Sequence, residues 1–435
     1  MRNAMLNDLG RAIEPDRVHR TVYTDPDIFE LEMERIFNRV WTFVGHETQV
    51  KNPGDFWTVQ IARQPMIMVR HADGKVYVLY NRCPHRGNLI CSERSGHAAK
   101  EEFVCSYHGW QFDLNGRVKA VPLAQGYQGT RLNLDHPDCQ IKHAARVASY
   151  RGFVFASLTA DGPSLLDWLG PAKVAFDDMC DRAPAGEVEV VPTCFRVIQQ
   201  SNWKLFLENQ LDAVHPSVTH ESTGRAAFEV EEEIKQRKGK APLDYHFLSA
   251  FTLPMPKWDG VQTLNYNHGH CILQAYMGLR PRDPDTLAYE ALMKAAYGEK
   301  RMEEILNVGI HHVLLYPGLS VQPPLQQLRA VRPLGVDRTL TEIWHFRLKG
   351  APEAIYRRAL GYYNLVNSPS TMVNADDLWN FWKCHQGLSS DGGDWVSFHR
   401  NAGQDDEKDG VTTSRFGTSE APMRNQFRAW AQYMA

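Results

Sequence analysis

Cys83-Pro84-His85-Arg86-Gly87 and Cys105-Ser106-Tyr107-His108-Gly109-Trp110 are the stretches on which the reading of this chain turns. Residues 86–104, nineteen in all, separate the first histidine from the second cysteine. Each stretch offers one thiolate and one imidazole on a short loop. Two of each suit either tetrahedral zinc or a [2Fe–2S] centre in which two histidines replace two cysteines on one iron. A single residue between Cys83 and His85 is unusual for zinc fingers. Gly87 and Gly109 come just after the histidines, where backbone must approach a cluster and donate N–H bonds to its sulfides. A lone Cys-x-His is ordinarily a core cysteine beside a surface histidine. Two such halves in one β-rich block reverse that reading.

Outward from these loops, Gly54 to Leu158 has a strand-and-turn rhythm. Trp57-Thr58-Val59-Gln60-Ile61, Pro65-Met66-Ile67-Met68-Val69-Arg70 and Val76-Tyr77-Val78-Leu79-Tyr80 are bounded by Gly, Asp and Asn, which predicts an all-β module of about 100 residues. Ahead of it, Ile28 to Phe37 has the spacing of an amphipathic helix. Beyond Leu158 the pattern is mixed. Trp203 to Val214 reads as a helix stopped by Pro216. Val313–Tyr316, Leu328–Val331 and Thr341–Leu348 read as strands of an antiparallel sheet, residues 353–365 and 371–386 as helices, 401–413 as a solvated loop, and Met423–Met434 as a terminal helix. The fold class expected is α+β, with the all-β domain at 40–158 and an α+β catalytic domain, an antiparallel sheet with helices in a helix-grip-like arrangement, at 1–39 and 159–435.

Composition narrows the function. The 435 residues are 43% hydrophobic and 23% charged, with 11 Trp and 16 Tyr, the profile of a packed globular chain. A net charge of −3 leaves no basic excess for nucleic acid. No stretch nears the roughly 18 apolar residues of a membrane span, and residues 1–8 carry no apolar leader. Eight cysteines are too dilute for a disulfide scaffold, so the expected compartment is the reducing cytoplasm, where thiols serve metals.

A second cluster begins at Asn202-Trp203-Lys204 and runs through Glu208-Asn209-Gln210-Leu211-Asp212-Ala213-Val214-His215 to Pro216 and His220. A spacing of five does not stack His215 and His220 on one straight helix; Pro216 breaks the helix so that His220 swings back. The zincin pattern His-Glu-x-x-His is absent. Residues 80–112 resemble a Rieske cluster-binding motif. The whole chain, with Asn-Trp-Lys, Glu-Asn and Asp-x-x-His-x-x-x-x-His, resembles the α (large) subunit of Rieske non-haem iron aromatic ring-hydroxylating oxygenases. The resemblance implies that Cys83, His85, Cys105 and His108 hold a [2Fe–2S] Rieske cluster. It implies that His215 and His220 bind a mononuclear Fe(II), and that Asp212 links a cluster histidine of one subunit, here His108, to the iron histidine His215 of its neighbour. Val214 stands where many members have Tyr.

Two histidines and one carboxylate on one face leave iron positions open for O₂ and substrate. The carboxylate candidates are Asp376 and Asp377. Adjacent helical residues diverge by about 100°; Asp377 shares its face with Val373, Phe381, Cys384 and Leu388, and Asp376 with Asn380 and Lys383. Periodicity favours Asp377, and the family pattern, a ligand about ten residues before a Gly (here Gly387), agrees. Asp376 fits an exposed acidic residue near a helix start. Respiratory and photosynthetic Rieske proteins carry an extra cysteine pair and sulfur-bonding Ser and Tyr; here those positions are Asn88 and Tyr107, and Trp110 and Phe112. Lacking those hydroxyls, the cluster is expected near the low end of the roughly −150 to +300 mV Rieske range.

His97, His136, His143, His268, His270 and His399 read as surface or loop residues, and His311-His312 as packed core at a strand start. The remaining cysteines, Cys91, Cys139, Cys180, Cys194, Cys271 and Cys384, read as small apolar residues. The chain has no Gly-x-Gly-x-x-Gly dinucleotide fingerprint. The resemblance therefore implies a separate NAD(P)H-dependent reductase, in some members a ferredoxin, and a small β subunit in an α3β3 assembly or an α3 trimer. The implied activity is hydroxylation of an aromatic ring with O₂, cis-dihydroxylation of an aromatic carboxylate or similar arene. Pocket residues are expected from Gln210–Val214, the strands near 313–331 and the helix near 372–381. The alternatives are a Rieske monooxygenase or demethylase without a β subunit, and a Rieske or zinc electron-transfer module in which His215 and His220 are inert.

Overall fold

Runs rich in β-branched and aromatic residues pair as antiparallel strands wherever Gly, Asp or Asn lets the chain reverse. The computed structural model describes residues 9–239, 248, 250–276 and 280–435; segment 1–8 lies outside the described residues. The chain divides into two compact units, Met33–Trp168 and the remainder, up to Glu32 and from Leu169.

In Met33–Trp168, Val76–Tyr80, Gln64–Arg70, Asp55–Ile61 and Ser95–His97 form a four-stranded sheet in that spatial order. Two three-stranded sheets complete it: Val118–Ala120, Gln111–Asp113 and Glu102–Val104, and Arg146–Tyr150, Phe153–Ser157 and Thr42–His46. Cys83 and Cys105 lie in its core with Ile67, Leu79, Phe103 and Phe112. The first Cys-His loop leaves Val76–Tyr80; the second spans the hairpin between Glu102–Val104 and Gln111–Asp113.

The other unit is built on a nine-stranded antiparallel sheet. Its order is Val188–Gln199, Arg338–Leu348, Gln327–Gly335, Leu319–Gln322, Ile310–Leu315, Cys271–Ala275, Gln262–Asn265, Val411–Ser414 and Asp406–Lys408. Side chains alternate across a sheet. Val313 pairs with Val321, Val321 with Leu328 and Leu328 with Trp344, giving a buried apolar face. The opposite face is polar: Ser320 pairs with Arg329, and Gln322 with Gln327, which pairs with His345. The Glu353–Asn367 helix covers this face; the Tyr363 hydroxyl donates to the Ile343 carbonyl (2.6 Å) and Asn367 Nδ2 to Gln327 Oε1 (2.7 Å).

Three local expectations are corrected. The helix from Trp203 stops at Gln210, and a new one, His215–Thr219, starts at His215 with Pro216 in its first turn. Proline's missing N–H costs nothing at that position. The break falls earlier, where Asp212 Oδ1 accepts the Val214 N–H at 2.7 Å. Within 401–413, Asp406–Lys408 and Val411–Ser414 form a hairpin around Asp409-Gly410, both at positive φ. That dipeptide is the two-residue hairpin signal; the exposed, charged flanks gave it the composition of a loop. His270 is 1% exposed and its Nδ1 accepts the Tyr316 N–H, so it is a core residue.

Candidate metal centres

The two Cys-His loops repeat one geometry. The Cys83 N–H donates to the Asn88 carbonyl (2.8 Å) and the Gly87 N–H to the Cys83 carbonyl (2.9 Å). The Cys105 N–H donates to the Trp110 carbonyl (2.8 Å) and the Gly109 N–H to the Cys105 carbonyl (2.9 Å). Gly87 and Gly109 sit at φ +76° and +68°, a conformation glycine adopts without strain. The loops thereby turn backbone N–H groups toward sulfur: those of His85 and Arg86 reach Cys83, and those of Tyr107 and His108 reach Cys105. Buried Asn81 braces the first loop, donating to the Cys91 carbonyl (2.7 Å) and accepting from Ile90 and Cys91.

The two thiols lie within hydrogen-bonding reach of each other. Burial pushes Cys83 up to about 11. Burial also raises Cys105, but the Tyr107 and His108 N–H groups, Cys83 and the Asn88 amide outweigh it and bring Cys105 below the ordinary thiol range. A bound metal would hold both as thiolates. The His85 and His108 rings lie 4.5 Å apart, and His85 stacks on Trp110 at 5.1 Å with planes 5° apart. Burial, then His108, lowers the His85 pKa, keeping its ring neutral. His85 Nδ1 is buried with no partner. Two adjacent thiols ringed by N–H donors, beside two neutral imidazoles, one with an orphaned nitrogen, fit a two-iron cluster ligated by two cysteines and two histidines.

The second site assembles from the break after Gln210 and from the Met372–Leu388 helix. Donor atoms of His215, His220 and Asp377 all lie within 4.8 Å of one another. His220 Nε2 is 3.2 Å and His215 Nε2 3.9 Å from Asp377 Oδ1. This donor set fits a divalent iron with open positions. Burial is the main cause of a lowered His215 pKa, so its imidazole is neutral and free to ligate. Asp212 Oδ2 is 3.9 Å from His215 Nδ1, and Arg400 Nη2 is 3.8 Å from Asp212 Oδ1.

Two partners in this site escaped the sequence reading. Asp376 faces His220: its Oδ2 is 3.5 Å from Nδ1, the carboxylate–histidine arrangement that orients a metal-binding imidazole. Asn209 Nδ2 donates to Asp377 Oδ1 at 3.1 Å. The buried face of the Met372–Leu388 helix carries Val373, Phe381 and His385, whereas Cys384 is exposed.

A cavity of about 290 Å³ opens beside Gln210, Asp212 and Ala213. Phe251, Leu273, Ile310 and Tyr362 give it apolar walls, and His311 and His312 line it from the sheet. Helical walls come from Glu353–Asn367, through Ile355, Arg358, Ala359 and Tyr362, and from Pro284–Tyr297, through Thr286 and Tyr289, in place of the expected helix near 372–381. That helix supplies Asp377 instead. His311 is buried with Nδ1 2.6 Å from Asp178. Among the described residues no helix is long and apolar enough to cross a membrane.

Two family models match the chain: the Rieske [2Fe-2S] domain over residues 40–142, and the ring hydroxylating alpha subunit (catalytic domain) over 183–435. The chain is 33% identical to the toluate 1,2-dioxygenase subunit alpha of Pseudomonas putida, across 86% of this chain and 80% of that one. It is 32% identical to the anthranilate 1,2-dioxygenase large subunit of Acinetobacter baylyi, across 95% and 88%. A structure of a naphthalene 1,2-dioxygenase variant bound to phenanthrene shares the fold at a TM-score of 0.82 and 24% identity, over 97% of this chain and 93% of that one.

Proposed function

This chain belongs to the ring-hydroxylating oxygenase α-subunit family, whose members hold a Rieske [2Fe–2S] cluster and a mononuclear iron, and from that premise we propose that it is a terminal oxygenase that cis-dihydroxylates an aromatic carboxylate or similar arene. The observation that carries the reading is the convergence of His215, His220 and Asp377 beside an apolar cavity. In the proposed assignment Cys83, His85, Cys105 and His108 hold the cluster, and His215, His220 and Asp377 the iron. When bound, the cluster supplies electrons singly and the Fe(II) supplies the chemistry of dioxygen activation.

The chain's own residues do the rest. The cavity takes the arene: a pocket of about 150 Å³ suffices for benzene, so 290 Å³ holds one substituted ring. Its apolar walls exclude water from the reacting face. Asn209 and Asp376 fix the orientation of Asp377 and His220, and Asp212 stands on the Nδ1 side of His215. In the proposed assembly Asp212 also accepts the ring N–H of His108 from a neighbouring copy, joining the two centres through one carboxylate. The proposed electron source is an NAD(P)H-dependent reductase, directly or through a ferredoxin, and the proposed assembly is α3β3 with a small β subunit, or α3. The names of the toluate and anthranilate relatives support an acidic arene.

The test is turnover of a panel of neutral and acidic arenes with a surrogate reductase under ¹⁸O₂, read by mass spectrometry. Products carrying two labelled oxygens are expected. A single labelled oxygen in every product would make the enzyme a monooxygenase, and no oxygenated product from any arene would overturn the reading.

A further inference from the structure

The arginines lining the cavity already have counter-ions. Arg182 pairs with Asp178 (3.0 Å), Arg280 with Glu290 (3.1 Å) and Glu303 (2.7 Å), and Arg358 with Asp283 (3.0 Å). Each guanidinium is neutralised in place and offers an incoming anion little.

Arg329 differs. It lies deep in its unit on the polar face of the sheet, between Ser320 and Ile343, yet retains accessible surface. Among the described residues no carboxylate lies within 4.0 Å of it, and its Nε is buried with no partner. Its Nη1 donates to a neutral oxygen, Gln210 Oε1, at 3.0 Å. Gln210 lines the cavity. From there, Gln210 Nε2 donates to Asn209 Oδ1 (3.1 Å), and Asn209 Nδ2 donates to Asp377 Oδ1 (3.1 Å). Arg329 thus stands two amide side chains away from the iron-site carboxylate. Asp377 is the carboxylate whose charge acts on it, and iron ligation would neutralise that charge. His312, whose pKa is pushed down to about 3 by burial and then by Arg329, is neutral beside it.

A buried cation without a counter-ion is costly and persists where a ligand completes it. We propose that Arg329 is the anchor for the carboxylate of an aromatic acid, which the guanidinium grips while the ring lies in the cavity toward His215, His220 and Asp377. The guanidinium fork matches a carboxylate in two parallel hydrogen bonds. The inference rests on the cavity being the arene site and names the substrate class for it.

The test is binding, so it does not depend on turnover. Benzoate and benzamide, which share a shape and differ in charge, are titrated calorimetrically into the full chain with its metal centres. The wild type is expected to bind benzoate at least about tenfold more tightly than benzamide. R329Q is expected to lose that preference, and R329K to keep part of it, since lysine retains charge and loses the fork. Q210E, which installs a carboxylate against Arg329, is expected to weaken benzoate more than benzamide, and it serves if R329Q does not fold. Equal affinities in the wild type, or a preference that survives in both R329Q and Q210E, would overturn the proposal. Either result alongside doubly labelled product from a neutral arene would leave the enzyme reading standing and remove the carboxylate anchor alone.

Discussion

Asp376 and Asp377 are consecutive carboxylates that a helix turns to the two ring nitrogens of one histidine. Asp377 Oδ1 meets His220 Nε2 and Asp376 Oδ2 meets His220 Nδ1. Asp377→Ala is expected to abolish iron retention at the mononuclear site. Asp376→Ala is expected to weaken it about 10–100-fold, read by iron content after graded chelation, with cluster absorbance unchanged in both. Asp212→Asn is expected to keep the cluster spectrum and most of the iron while losing nearly all turnover; a highly active variant would remove its proposed bridging role. Around the thiols, Trp110 and Phe112 are buried and carry no hydroxyl, so sulfur is served by backbone N–H groups and by Asn88, 3.7 Å from Cys105 Sγ. Redox titration is expected to give a midpoint near the low end of the roughly −150 to +300 mV range, and Asn88→Ala a lower one still, since donors to sulfur stabilise the reduced cluster.

The helix Trp203–Gln210 shows how one element supports the proposed iron site. Asn202 caps it, accepting the Lys204 N–H at 3.2 Å. Lys204 Nζ is 2.5 Å from fully buried Glu32, which also accepts the indole N–H of Trp203 (2.8 Å) and Trp430 (2.7 Å). Asn-Trp-Lys is therefore an anchor that ties the helix to the start and end of the chain. Glu32→Ala strands the Lys204 charge and is expected to cost about 3–5 kcal/mol, measurable by denaturant unfolding. At the other end Glu208 accepts from the Tyr23 hydroxyl (2.8 Å), and burial pushes its pKa up to about 8. The folded state then holds a proton that the unfolded state releases from about pH 4.5 upward. Its contribution to stability is greatest below that pH, declines toward pH 8 and is level above. Glu208→Gln is expected to flatten that decline in the thermal midpoint between about pH 5 and pH 9 while keeping the Tyr23 bond.

Across the whole chain, two chemically different sites are built from residues that the sequence shows very unequally. The cluster loops could be read directly because all four candidate ligands fall between residues 83 and 108, with the turn glycines beside them. The proposed iron site is half legible: His215 and His220 are close in sequence, whereas helical periodicity is needed to favour Asp377 over Asp376. Fully prepared protein is expected to contain about three irons and two acid-labile sulfides per chain, by elemental and sulfide analysis; iron near one, or zinc in its place, would contradict the two-centre reading.

The sequence by itself determined the candidate ligand types, the β character of the first module and the mixed character of the second, because these are set by residue chemistry and by short-range periodicity. Tertiary structure alone decided what surrounds the ligands. Asp376 meets His220 across 156 residues, Asn209 meets Asp377 across 168, and Gln210 meets Arg329 across 119. Those pairings depend on strand register and helix rotation, which one residue of slip would reverse. Which of many arginines stays without a counter-ion is likewise a property of the folded neighbourhood, since any carboxylate packed within about 4 Å would have neutralised it.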